Sequence, residues 1–503
     1  MKLLSTPLLA TLLVATLSPA APVLAQDKPA CQYVQLAKLP LHYRGAALEI
    51  TMDGVINGTP AVMLADTGSH DTALTRTGTE QRGLRLRPTG KTTYGIGGVS
   101  TLYTTRLDDF AAGPAKSSKG WVEVIGDTGS APAFDAIVGA TYLLQTDMEL
   151  ALADKEIRFY RPLGCDKSWL AYWDRNAMVI PFEQNQMSNR PVNPPFTIEV
   201  NGARMLAIID SGAYRTSIDA RAAERAGIRV GSPAVQRDGS SVGVGGHRID
   251  NWRARVASIK VGDEIIRDSE VALMDTRGRI HVDVLLGQDF LRAHRVLFAM
   301  GQRKLYLSYV GGDVFGKPPG IEAWVQQEAD GGNPDAQLVL SNIYASGKGV
   351  PKNPALAAVW LDKAAAQGHP QANIRLAHAL LQSGRDLDAI ARLEPALRRL
   401  PAERHGALLL YLARLRSGDR EGARRELAAT FARSEDNAWP GPVADHYLGR
   451  IDAAALLAQA RRDDERAALQ TCQAGRYIAA LQAVQAGQAL PAAPAESCTS
   501  DQP

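Results

Sequence analysis

Apolar positions along this chain follow three successive patterns. One apolar stretch, Leu8 to Leu17 with small polar breaks, stands near the start. From about residue 40 to 310, short apolar runs are punctuated by Gly and show little helical spacing, the signature of short β-strands and turns. Beyond about Gly320 the composition shifts to Ala, Leu and Arg at helical spacing. The pattern predicts a processing segment, a β-rich region and a helical region, in that order. The first stretch is too short to span a membrane. With Lys2 before it and Val23-Leu24-Ala25 after it, it predicts a signal peptide over residues 1–25, cleaved after Ala25.

The β-rich region repeats itself. Leu48 to His70 and Thr197 to Tyr214 carry the same succession of apolar run, Asn-Gly, apolar run and acidic loop. Asn57-Gly58 and Asn201-Gly202 predict tight hairpin turns. Each precedes an aspartate by the same distance, Asp66 in one copy and Asp210 in the other. Downstream, Tyr94-Gly95-Ile96-Gly97-Gly98 matches Val242-Gly243-Val244-Gly245-Gly246, and Phe134 to Gly139 matches Val282 to Gly287. The offset grows from 144 to 148 residues, so the second copy holds a net insertion of four. Two homologous β-lobes follow, over 26–174 and 175–312.

In both copies an apolar strand runs into Asp-[Thr/Ser]-Gly: Asp66-Thr67-Gly68-Ser69 and Asp210-Ser211-Gly212-Ala213. The Gly permits a sharp turn beyond the Asp. The hydroxyl can bond to the facing loop. Two such loops opposite one another would bring two carboxyls together, where they cannot both ionise easily. One would then act as base on a shared water while the other donates a proton. By chance this tripeptide should occur about 0.2 times in a chain of this size, and it occurs three times. The third copy, Asp127-Thr128-Gly129-Ser130, has no counterpart in the repeat, where Asp275-Thr276-Arg277-Gly278 stands opposite. Asp127 is therefore read as a loop carboxylate.

These residues resemble the retropepsin-like aspartic proteases, over roughly residues 40–310. That family pairs its Asp-[Thr/Ser]-Gly loop with a later apolar-apolar-Gly segment. Here Ile137-Val138-Gly139 and Leu285-Leu286-Gly287 hold that place. The resemblance implies an all-β bilobal fold of the pepsin type, with both lobes in one chain and catalysis by the monomer. It implies Asp66 and Asp210 as catalytic residues acting on a polypeptide. Thr67, Gly68, Ser69, Ser211, Gly212, Ala213, Gly139 and Gly287 would support their loops. It also makes Tyr94, Gly95, Gly97, Gly98, Gly243, Gly245 and Gly246 flap residues closing over substrate, although the same glycines also suit ordinary hairpin turns. A protease-like fold serving as an inactive binding or scaffold module is the alternative, since a fold does not guarantee its function.

Gly311-Gly312 and Lys317-Pro318-Pro319-Gly320 suggest a linker over 313–320. Residues 336–372, with Ala336, Leu340, Tyr344, Gly347-Lys348-Gly349-Val350 and Trp360, resemble a Sel-like repeat, a relative of the tetratricopeptide repeat. Ala372 begins another unit after 36 residues. Degenerate pairs continue to about 490, before a Pro/Ala-rich tail at 491–503. Such a solenoid would present a concave surface for substrate or partner.

Composition narrows the reading. Lys plus Arg total 56 and Asp plus Glu 53, a net +3, which argues against a nucleic-acid binder. The nine His form no metal-ligand spacing and no cofactor motif is present, so neither metal nor cofactor is expected. The resemblance implies export to a bacterial periplasm, an oxidising environment. Cys31 with Cys165 would tie the ends of the first lobe, and Cys472 with Cys498 would pin the tail. The sequence does not choose among the three pairings of four cysteines.

Overall fold

The computed structural model describes residues 30–95, 98–126, 132–183, 193–242, 244, 248–276, 280–315, 320–432, 439–462, 467–491 and 498. The first lobe contains β1 (Gln32–Arg44), β2 (Glu49–Ile56), β3 (Thr59–Ala65), β4 (Ala73–Leu74), α1 (Arg76–Gln81), β5 (Arg87–Gly95), β6 (Gly98–Ala112), β7 (Ala115–Ile125), β8 (Ala136–Val138), α2 (Ala140–Leu143), β9 (Asp147–Ala151) and β10 (Glu156–Leu163). The second lobe contains β11 (Met178–Pro181), β12 (Phe196–Val200), β13 (Ala203–Ile209), β14 (Ser217–Asp219), α3 (Ala220–Arg225), β15 (Val235–Val242), β16 (Arg248–Val261), β17 (Glu264–Met274), β18 (Val284–Leu286), α4 (Gln288–Leu291), β19 (His294–Ala299) and β20 (Lys304–Tyr309).

The two lobes share one wiring. Strand order β2-β3-β8-β4-β7-β6-β5 in the first is matched by β12-β13-β18-β14-β17-β16-β15 in the second. Extra β2–β6 and β12–β16 pairings curl each sheet back on itself. Alternation drives this: Phe196, Ile198 and Val200 of β12 are buried while the residues between them are not. The predicted turns are present, with Asn57, Gly58, Asn201 and Gly202 all at positive φ. Each Asn side chain also caps the neighbouring hairpin: Asn57 Oδ1 accepts from Asp108 N at 2.8 Å, and Asn201 Oδ1 from Ala257 N at 2.9 Å. The four-residue insertion falls between α3 and β15, where residues 226–234 stand in place of the shorter 82–86. It lies in a loop and leaves the strand pairing intact.

A third sheet, β1-β10-β9-β19-β20-β11, joins the lobes. Its centre is the antiparallel β9–β19 pair, in which Glu149 lies opposite Leu297, its own repeat equivalent. The pseudo-twofold axis of the molecule therefore passes between these two residues. Apolar side chains of both lobes form one continuous core.

The helical region follows as α5 (Ala323–Asp330), α6 (Pro334–Ser346), α7 (Pro354–Ala366), α8 (Pro370–Gln382), α9 (Asp386–Arg399), α10 (Arg404–Arg416), α11 (Arg420–Phe431), α12 (Gly441–Tyr447), α13 (Ala453–Ala460) and α14 (Ala467–Gln485). The 36-residue unit is visible in the caps. Asn333 and His369 each cap a helix whose first residue is proline, Pro334 or Pro370. Gly347, at φ 74°, ends α6 in the left-handed conformation. Val325, Ala329, Ala336 and Leu340 join the core of the lobes, whereas α8 to α14 enclose a separate apolar cluster. Disulfides join Cys31 to Cys165 and Cys472 to Cys498. No helix among the described residues is long and apolar enough to cross a membrane.

Candidate active site

Each aspartate is delivered by the end of a buried strand. Asp66 follows β3, and its N–H donates to Val138 O at 3.1 Å. Asp210 follows β13, and its N–H donates to Leu286 O at 2.9 Å. Parallel pairing of β3 with β8, and of β13 with β18, threads the apolar-apolar-Gly segment under each loop. Gly139 and Gly287 sit where a Cβ would overlap backbone, that of Asp71 in one lobe and of Arg215 in the other. Their N–H groups donate to Thr72 Oγ1 at 3.1 Å and to Thr216 Oγ1 at 3.0 Å.

The loops lock onto each other across the pseudo-axis. Thr67 N donates to Ser211 Oγ, and Ser211 N to Thr67 Oγ1, both at 3.0 Å. Onward, Thr67 Oγ1 donates to Ile209 O at 2.8 Å and Ser211 Oγ to Ala65 O at 2.6 Å. All four bonds are buried, so losing a hydroxyl would orphan the facing loop N–H at a cost of about 1–3 kcal/mol.

The carboxyls face each other above this lock. Asp66 Oδ1 accepts from Gly68 N at 2.9 Å and Ser69 N at 3.0 Å. Asp210 Oδ1 accepts from Gly212 N at 2.9 Å and Ala213 N at 3.0 Å. The two carboxyls are near enough to perturb each other's ionisation. A Cβ on Gly68 would overlap the Asp210 carboxyl, and one on Gly212 the Asp66 carboxyl. Glycine is thus what admits each carboxyl to its partner. Asp210 is 6% exposed, and Asp66 is somewhat more open. Burial raises the pKa of both, against the loop N–H groups, which favour ionisation. The neighbouring Asp66 charge lifts Asp210 further, to about 8. The pair therefore holds one proton over a wide pH range.

Several residues here carried no warning in the sequence. Asn193 Nδ2 bridges Thr67 O at 2.6 Å and Ile209 O at 2.9 Å. Gln288 Nε2 donates to Ser211 O at 3.2 Å on the other side. Neither has a counterpart in the repeat, which is why repeat logic passes over them. Asp135 and Asp283, in contrast, were visible as repeated letters without a role. Asp135 accepts from Val62 N and Asp283 from Leu206 N, both at 2.8 Å. Each also pairs with an arginine, Arg82 at 3.1 Å or Arg225 at 2.6 Å. They clamp each lobe's paired strands from behind.

Gly95 and Gly98, read from the sequence as flap or turn residues, lie on the β5–β6 hairpin. Gly95 pairs with Gly98 at the end of β5–β6, and a Cβ on Gly95 would overlap the backbone of Val244. The end of this hairpin thus touches Val244. For Tyr94 the backbone alone is described, in β5, while Gly97, Gly243, Gly245 and Gly246 lie outside the described residues, as do Asp127 to Ser130. His70 is exposed and pairs with its neighbour Asp71 at 2.8 Å.

Residues 52–139 match the family "Aspartyl protease", and residues 196–293 match "gag-polyprotein putative aspartyl protease". Each lobe thus matches an aspartyl-protease family model over part of its length. The two matches contain Asp66 and Asp210, one apiece. Among solved structures, the Basic 7S globulin from soybean aligns with 9% identity at a TM-score of 0.31, over 56% of this chain and 99% of its own. A retropepsin-like aspartic protease from Rickettsia conorii aligns with 14% identity at 0.18, over 27% of this chain and 96% of its own. No curated protein gives a significant match.

Proposed function

We propose that this protein is an exported aspartic endopeptidase that works as a monomer, with one water held between Asp66 and Asp210. The observation that carries the reading is the pair of facing carboxyls, each set against the other loop's glycine and fixed by reciprocal Thr67–Ser211 bonds. In this reading Asp210, which burial and the neighbouring Asp66 charge raise, keeps the shared proton, and Asp66 is the ionised base. Asp66 takes a proton from water as the water oxygen attacks the peptide carbonyl carbon. Asp210 gives its proton to the carbonyl oxygen, which yields a neutral gem-diol. The proton on Asp66 then passes to the amide nitrogen, the C–N bond breaks, and a diol proton returns to Asp210. Electrons and protons balance, and no cofactor takes part. The facing hairpins would exclude bulk water during the step. The helical repeats supply a further surface for substrate or partner. Residues 1–25 would direct export to the periplasm, a reading that the two disulfides favour.

The purified chain should cut an unstructured polypeptide such as β-casein, at its monomeric mass by light scattering. Asp66→Asn and Asp210→Asn should each lower the rate by at least about 1000-fold, as loss of a group acting within a unit does. Cleavage surviving either change contradicts the shared-water site. Wild type inert from pH 3 to 9 would favour the inactive scaffold.

A further inference from the structure

A cleft lies between the first lobe and helices α6 and α8 to α11. Its volume is about 1500 Å³, above the roughly 300–1,000 Å³ of small-molecule pockets. A site of that size suits a chain segment. One end of it reaches the catalytic neighbourhood. Its wall includes Ile137 of β8, two residues before Gly139, and Val244 at the hairpin tip that meets Gly95.

The walls are fixed. Asp335 Oδ1 accepts from Gly45 N at 2.8 Å, Asn333 Nδ2 donates to Tyr43 O at 3.0 Å, and Trp324 packs on the Tyr43 ring at 4.9 Å. Helices and lobe thus make a preformed trough, which lowers the ordering cost of binding.

The lining chemistry fits a polypeptide and not a polyanion. Apolar side chains of Phe134, Leu338, Ile374 and Leu397 contribute to the wall. Charged residues of both signs line it and several are paired: Asp335 with His369 at 3.1 Å and Glu394 with Arg414 at 2.8 Å within the lining, and Glu80 with Arg404 outside it at 3.3 Å. No one-signed field selects a phosphate backbone. Three amides complete the set. Gln81, Gln367 and Gln371 each donate at 2.8 Å to the surrounding wall, to Arg399 O, Gln337 Oε1 and Glu403 Oε2. Their own carbonyl oxygens have no hydrogen-bond partner among the described residues, and are available to main-chain N–H groups.

We propose that this cleft is a second polypeptide-binding site, which holds the continuation of the substrate chain beyond the residues flanking the scissile bond. It grips main-chain amides and apolar side chains and tolerates varied sequence. The proposal rests on the protease reading of the Asp66–Asp210 pair. Its consequence is a length preference: long unstructured chains bind and react better than short peptides that fill the catalytic cleft alone.

The test uses full-length protein carrying Asp210→Asn, so that substrate binds without being cut. Binding of fluorescein-labelled β-casein, and of a labelled octapeptide from a β-casein site, is measured by anisotropy. Gln367→Ala/Gln371→Ala, and separately Gln367→Trp to obstruct the trough, are added to this background. The proposal expects β-casein to bind at least tenfold more weakly in both variants, with octapeptide binding changed less than twofold and the melting temperature retained. In the active background the same variants should raise KM for β-casein and leave kcat/KM for the octapeptide unchanged. β-casein binding insensitive to both variants, or a parallel loss for both ligands, overturns the cleft. Wild type that binds β-casein through the cleft yet never cuts it overturns the protease reading and leaves the cleft standing.

Discussion

At Gly68 the α-carbon faces the Asp210 carboxyl, and at Gly212 it faces that of Asp66, so a methyl group at either position takes the space the partner needs. Gly68→Ala should therefore displace Asp210 and lower kcat by about 100-fold, since misplacement of about 1 Å is enough for such a loss. The carboxyls themselves set the pH response. Catalysis needs one proton on the pair, so activity should rise as Asp66 ionises, above the usual carboxylate range, and fall as Asp210 loses its proton near pH 8. Stability carries the same sign. A folded pKa raised above the unfolded one gives stability that is complete at low pH and is lost as pH rises through the folded value. The wild-type melting temperature should thus drop between pH 5 and 9 more than that of Asp210→Asn, which a paired set of thermal melts would show. Glu49, raised to about 7 by burial, contributes to both proteins and cancels in the comparison. The aspartates, their hydroxyl neighbours and their glycines were legible because both copies repeat them. Asn193 and Gln288 were not, because each serves one side of a lock that is symmetric only in its centre.

Among elements, the two aspartate loops are tied to each other as well as to their own lobes. Thr67→Ala removes an acceptor for Ser211 N and a donor to Ile209 O. Ser211 N is left without a partner while Ile209 O keeps Asn193 Nδ2, so unfolding in urea should show a loss of about 1–3 kcal/mol, and cleavage should fall with it. An unchanged midpoint would mean that the loops are held from within their own lobes. The turns at Asn57-Gly58 and Asn201-Gly202 could be read directly, since positive φ at two successive residues demands such pairs. The insertion of four could be counted but not placed, because sequence comparison does not show where strand pairing tolerates extra length. The β9–β19 seam was illegible for another reason. Its strands look like any buried strand, and nothing local says that Glu149 will face Leu297 across the lobes. Buried Glu149 is met there by Arg158, by Arg295 Nε at 2.8 Å and by Tyr172 Oη at 2.9 Å, a network drawn from both lobes and the segment between them.

Across the whole molecule, the boundary of the cores differs from the boundary of the composition. Composition shifts near Gly320, yet α5 and α6 contribute to the core of the lobes, and Arg292 of the second lobe stacks on Trp324 at 4.0 Å. Glu322 adds bonds to Tyr214 and Arg215, just beyond the second catalytic loop, each at 3.3 Å. The helices from α8 onward enclose their own cluster. Calorimetry should therefore resolve two transitions, one for the lobes with the first helices and one for the remaining solenoid. The Cys472–Cys498 bridge closes a 26-residue separation, a constraint worth roughly 3 kcal/mol. Replacing both cysteines with serine should lower the solenoid transition alone, and a single transition shifting as a whole would contradict this division.

The most direct test of the coupled pair follows its carboxyls themselves. Carbon NMR of protein labelled at the aspartate side chains, titrated from pH 2 to 10, reads each protonation step. We expect Asp66 and Asp210 to titrate in two linked steps, both above the ordinary aspartate value and the upper one near pH 8. In Asp66→Asn the upper step should move down, because the charge that helped raise it is gone. Two independent titrations near pH 4, unchanged by that substitution, would show that the lobes do not build one site.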